Sequence, residues 1–146
     1  MNIDTKYHGS LEINSNEILN FEKGIPGFLE EKKFILLPLS DDDTFSVLQS
    51  VTTSELAFVL TSPFNFFKDY DFKLEDQVIE ELELESEEDV LVYSILTVQD
   101  PFNKTTANLQ APVIINAKNQ KAKQVILHNE QFNTKHPIFE KPEAKG

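Results

Sequence analysis

The chain has no cysteine, no arginine and no tryptophan, and only four glycines in 146 residues. Without cysteine there is no disulfide, no thiolate nucleophile and no Cys-ligated zinc, a composition that fits a reducing compartment. All 13 basic residues are lysine. Arginine is the usual bidentate reader of phosphate and guanine. Its absence, with 25 acidic residues and a net charge of −12, argues against direct nucleic-acid binding, which needs a cationic face for counterion release. The same charge disfavours anionic membranes and self-association and favours a basic protein partner. No apolar run reaches the length of a membrane span. The opening MNIDTKYHG has no charged start followed by an apolar stretch, so a secretory signal is not expected.

What is present reads as one domain. Hydrophobic residues make up 40% of the chain, with twelve Phe, enough for a single core. Short apolar segments recur every 8–12 residues or so between polar turns, the rhythm of an all-β fold. Ile3, Thr5 and Tyr7 alternate, His8-Gly9-Ser10 turns the chain, and Leu11 with Ile13 continues it. Residues 34–37, 45–49, 56–60, 90–98, 109–115 and 124–127 read as strands. Tyr70, Phe72 and Leu74 alternate with Asp69, Asp71 and Lys73, so one side should face inward. Leu74, Val78 and Leu82 fall at i, i+4 and i+8, with Asp76, Glu80 and Glu83 opposite, which predicts a short helix over 75–83. The expected fold class is therefore all-β, a small antiparallel barrel or roll with one short helix, spanning 1–132. His136-Pro137 and Lys141-Pro142 discourage regular structure, so 133–146 is expected to be a flexible tail.

FEKGIPGF, residues 21–28, concentrates two of the glycines around Pro26. It lacks the Lys-Ser/Thr or third glycine of a phosphate loop, and Glu30 and Glu31 follow it. A type II turn explains it: Pro26 presets φ, Gly27 takes φ > 0, and Phe21, Ile25 and Phe28 bury. His8, His128 and His136 do not fall at metal-ligand spacing. Asp41-Asp42-Asp43 lacks the glycine and terminal glutamate of a calcium loop and reads as a solvated turn. No metal or cofactor is expected. Paired carboxylates leave a small cytosolic hydrolase as the alternative reading.

The acids are concentrated. Between Asp69 and Asp89 there are eleven of them against the single base Lys73. Such a run is either a solvated face or a binding face. As a binding face it nominates Asp69, Asp71, Glu75, Glu80 and Glu83. Phe102, in the polar connection DPFNKTT, either folds into the core or anchors a partner.

FEKGIPGF at 21–28, VLQSV at 47–51, LAFVLTSP at 56–63, ILTVQDPF at 95–102, NLQAPVIIN at 108–116 and KQVIL at 123–127 together resemble the flagellar assembly factor FliW family. The resemblance runs from Met1 to about His136. It implies a small, cytoplasmic, non-enzymatic all-β protein that binds flagellin before export. It also implies binding to CsrA, an RNA-binding repressor of flagellin translation, so that unexported flagellin and CsrA compete for the same protein. The resemblance assigns no binding residue. The candidate partner-binding residues Asp69, Asp71, Glu75, Glu80, Glu83 and Phe102 rest on charge and exposure alone.

Overall fold

The computed structural model describes residues 1–39 and 44–139. The expected aspartate turn at 41–43 lies outside the described residues. The strands are β1 (Asn2–Asp4), β2 (Ser10–Glu12), β3 (Leu19–Asn20), β4 (Lys33–Pro38), β5 (Phe45–Ser50), β6 (Ala57–Thr61), β7 (Val90–Thr97), β8 (Thr106–Ala107), β9 (Val113–Asn116), β10 (Ala122–Gln124) and β11 (His136–Pro137). Among the described residues the one α-helix is α1 (Asp76–Leu82), inside the range that its apolar stripe predicts.

β1 and β2 form a separate antiparallel pair. The main sheet runs β10-β9-β7-β6-β5-β4-β3, with β8 on β7 and β11 on β8. Every ladder is antiparallel. A lone parallel bridge sets Asn20 opposite Lys121, so the two sheet ends meet at a point. No continuous ladder joins β3 to β10 among the described residues: the sheet is a roll, not a closed barrel.

Period-2 alternation sorts the side chains between two faces. Phe34, Leu48, Leu60, Val113 and Ile115 share one cluster with Leu19, Phe21, Ile25 and Ala122. It draws on both ends of the sheet, so the sheet curls around it. On the outer side, Val59, Leu96 and Ile114 pack with Tyr70, Val78, Leu82, Leu127 and Ile138. A third cluster, Ile3, Ile13, Ile18 and Ile35, seats the β1–β2 pair against β4.

The Gly-Pro-Gly corner forms the expected turn. Ile25 and Phe28 exchange backbone hydrogen bonds of 3.3 and 2.6 Å, and Gly27 has φ +88°. Gly24 is needed for a second reason: a Cβ there would lie 2.4 Å from the Leu29 carbonyl oxygen. Phe21 and Ile25 are buried as expected, but Phe28 is 42% exposed. The interior is already filled by Ile25 and the Phe21–Phe34 edge contact, so the Phe28 ring lies edge-on to Phe58 at the rim.

Three other expectations shift. The ladder of β9 starts at Val113 rather than at 109, because Asn108 Oδ1 accepts from the N–H groups of Gln110 and Ala111 and turns the chain, and Pro112 has no N–H to donate. The strand expected at 124–127 is β10, which ends at Gln124. Beyond it, Val125 and Leu127 stay buried through single bonds to Pro112 and Gln110 carbonyls. Finally, the packed chain extends past residue 133. β11 pairs with β8, and Ile138 is buried. Pro137 is tolerated there because an outermost strand need not donate on its free side. The rest of the expected tail, 140–146, lies outside the described residues.

Candidate interaction site

Neighbouring strands β6 and β7 are antiparallel, yet the chain between them makes an excursion through residues 62–89. This excursion carries the acid run. Tyr70 anchors its first half: the ring is buried and its hydroxyl donates to the Leu109 carbonyl at 2.7 Å. Burial pushes the Tyr70 phenol well above its ordinary pKa. Phe72 and Leu74 continue inward, half-buried, while Asp69, Asp71 and Lys73 face out. The predicted alternation is therefore real, but the segment has no ladder partner among the described residues.

A helix as short as α1 does not hold itself together in water. Val78 and Leu82 bury against the outer cluster, at about 2 kcal/mol each. Its last carbonyls are capped from the β9–β10 turn: Asn116 Nδ2 donates to Leu82 O at 2.8 Å and Asn119 Nδ2 to the same oxygen at 3.1 Å. Glu75 and Asp76 sit at the positive end of the helix dipole. The helix ends in a Schellman turn, with Glu83 N–H bonded to Glu80 O and Leu84 N–H to Ile79 O at 3.1 and 3.0 Å. Glu83 takes the left-handed position, φ 56°, usually given to glycine.

On this helix Ile79 and Glu81 flank the buried face on opposite sides. On the Glu81 side the acids are matched. Lys23 and Lys123 both donate to Glu81 and hold its carboxyl down at about 2. Lys121 contacts Glu83 and Glu22, and the Glu83 contact raises the Lys121 ammonium above its ordinary pKa. Past the helix, Lys118 lies 3.5 Å from Glu85, which also borders the groove on the other side, and 3.9 Å from Asp89. These lysines also complement the negative end of the helix dipole.

On the Ile79 side there is a groove of about 590 Å³. Phe64, Phe72, Leu74, Ile79, Leu84, Val90 and Val92 line it, with Asp71, Lys73, Glu85 and Glu87 among its polar lining. It lies where the outer cluster runs out, since Phe72, Leu74, Leu84, Val90 and Val92 are the half-buried fringe of that core.

The predicted site residues separate accordingly. Asp69, Asp71, Glu75 and Glu80 are exposed and make no ion pair among the described residues. Glu83 is exposed but held by Lys121. Phe102 belongs to a turn between β7 and β8 and is 40% exposed, neither core nor free. Its ring meets Phe45 at 5.5 Å and Phe139 at 5.6 Å, and both of those meet Phe66 of the excursion. The lysine clamp and the groove are what the sequence reading missed. The one available signal was Ile79, an exposed aliphatic residue off the helix stripe and among acids.

Among the described residues no group of three or more His, Asp or Glu is placed to hold a metal ion, and no helix is long and apolar enough to cross a membrane.

Comparison with known proteins gives one consistent result. The family model for the FliW protein matches residues 2–138. The flagellar assembly factor FliW of Bacillus subtilis (strain 168) is 55% identical over 138 residues, covering 94% of this chain and 96% of that protein. The flagellar assembly factor FliW of Geobacillus kaustophilus (strain HTA426) is 54% identical over 145 residues, covering 99% of this chain and all of that protein. A crystal structure of the flagellar assembly factor FliW superposes with a TM-score of 0.92 at 52% identity, covering 97% of this chain and 99% of that one.

Proposed function

The chain belongs to the FliW family of flagellar assembly factors, which are not enzymes, and on that premise we propose that it works by exchanging two cytoplasmic protein partners. It binds flagellin before export, and it binds CsrA and keeps that repressor off the flagellin message. The hydrolase alternative falls away with the family.

One observation carries the CsrA part of this reading: Asp69, Asp71, Glu75 and Glu80 are exposed without lysine partners among the described residues, although lysines meet Glu81, Glu83, Glu85 and Asp89 of the same run. A protein that grips RNA needs a basic surface. Unpaired carboxylates docked beside that surface attract the protein and repel incoming phosphates. One charge pair at 4 Å contributes only about 1 kcal/mol in bulk water, so the effect requires several acids acting together. Glu83 contributes less, because Lys121 already offsets it. Phe102 supplies an apolar contact at the other end of the excursion.

The test replaces Asp69 and Asp71 by Asn and Glu75 and Glu80 by Gln together. In a gel-shift titration of CsrA on the flagellin leader RNA, the variant should need about tenfold more protein to release the RNA. A variant with an unchanged melting temperature that releases RNA at wild-type concentrations overturns the mechanism. Phe102→Ala, measured by calorimetry against both partners, should weaken one association while lowering stability by only about 1 kcal/mol, the worth of an aromatic contact.

A further inference from the structure

The groove beside α1 has a lining of distinct chemistry. Its apolar lining is aliphatic and aromatic, with Phe72, Leu74, Leu84 and Val92 half-buried and Ile79 exposed beside them. Its polar lining residues, Asp71, Lys73, Glu85, Ser86 and Glu87, are all solvent-exposed. Asp71 and Glu87 make no ion pair among the described residues, and Glu85 shares Lys118 with Asp89. A site for a polar metabolite would place a few donors or acceptors inside to fix its orientation. Here the half-buried lining is side-chain hydrocarbon and every charged lining residue is exposed. The volume, about 590 Å³, lies within the range of sites that take a ligand. The matching occupant is apolar along one face and cationic at its ends. Anionic lipid and nucleic acid fail on the second count.

The groove is also braced. Ile79 and Leu84 are the two ends of the Schellman turn, joined by the hydrogen bond from Leu84 N–H to Ile79 O. Val90 and Val92 come from β7, which β9 holds in register at those positions. A braced apolar trough limits the ordering cost of binding.

We propose that this groove is the docking site for an amphipathic peptide segment of a partner protein, its apolar side chains seated between Ile79, Leu84 and Val92 and its flanking lysines or arginines held by Asp71, Glu85 and Glu87. The inference rests on the reading of the chain as a protein-binding regulator, and it names the surface and the ligand chemistry which that reading leaves open.

The probe is a fluorescent peptide of about twelve residues with Leu at i, i+3, i+4 and i+7 and Lys at both ends, the anchor spacing of helix-in-groove recognition. Two controls are a scrambled peptide of the same composition and a version flanked by Glu. Fluorescence anisotropy with the full chain should give saturable binding of the Lys-flanked peptide alone. Ile79→Gln changes a residue already 37% exposed, so the fold is retained, which a thermal melt checks, and binding should weaken about tenfold or more. Glu87→Lys should weaken the Lys-flanked peptide and strengthen the Glu-flanked one. The proposal is overturned if the Lys-flanked peptide does not bind, if the scrambled peptide binds as well, or if the folded Ile79→Gln chain binds at wild-type affinity. Gel filtration of the wild type with flagellin and with CsrA separates the two ideas. Complexes that form with a groove that binds nothing leave the family role intact and remove the groove. A groove that binds peptide in a chain that takes neither partner does the reverse.

Discussion

Glu83 shows how much one backbone angle decides. At φ 56° a residue with a Cβ is strained by about 1 kcal/mol relative to glycine, yet this angle reverses the chain so that Leu84 returns over Ile79 and closes the groove. Its carboxylate is held by Lys121. Strain and ion pair can be separated. Glu83→Ala and Glu83→Gly both lose the pair, but only glycine relieves the angle. In urea titrations the glycine variant should therefore be the more stable of the two by about 1 kcal/mol; equal midpoints would mean that the left-handed angle carries no cost here. The sequence marks Glu83 as an exposed acid and nothing more, because the usual glycine at a helix end is missing. Phe28 was misread for a related reason: aromatic type announces burial, but which of Phe21, Ile25 and Phe28 fills the interior is settled by competition for space.

At the scale of elements, α1 was legible because Val78 and Leu82 bury at the predicted spacing. Its clamp was not. Lys23, Lys118 and Lys123 lie 58, 33 and 42 residues from the glutamates they meet, and only the roll brings them together. The clamp gives the helix a pH dependence whose sign follows from Glu81. Its carboxyl is lowered from an ordinary 4.5 to about 2 by hydrogen bonds from Lys123 and Lys23. A depressed carboxylate stabilises the fold fully above its unfolded pKa and loses that contribution as pH falls through the folded value. Wild type should thus exceed Glu81→Gln by about 1 kcal/mol at neutral pH, a partly exposed pair being worth little more. The gap should shrink between pH 4.5 and 2. Chemical denaturation across that range measures it, and a gap that persists at pH 2 would rule out the pair as its source.

Over the whole molecule, net charge is −12, but the acid run is divided: lysines meet Glu81, Glu83, Glu85 and Asp89, while Asp69, Asp71, Glu75 and Glu80 are left open. Composition exposed the concentration of charge. It could not expose the division, because that depends on which face of a short helix meets the β9–β10 turn. The division predicts a salt effect. Association with a basic partner should weaken steeply as salt rises from about 0.05 to 0.5 M, where the screening length shrinks to a few ångströms, and the chain neutralised at 69, 71, 75 and 80 should show a shallower slope by calorimetry. Equal slopes would place the steering charge elsewhere. The route of the chain carries one more implication. The excursion leaves β6 and re-enters at the adjacent β7, while β5 and β9 independently pin those two strands in register. Residues 62–89 are therefore placed as a cassette: with Tyr70, Val78 and Leu82 kept as its pegs, exchanging the segment between homologues should carry partner preference with it and leave the scaffold's melting temperature unchanged.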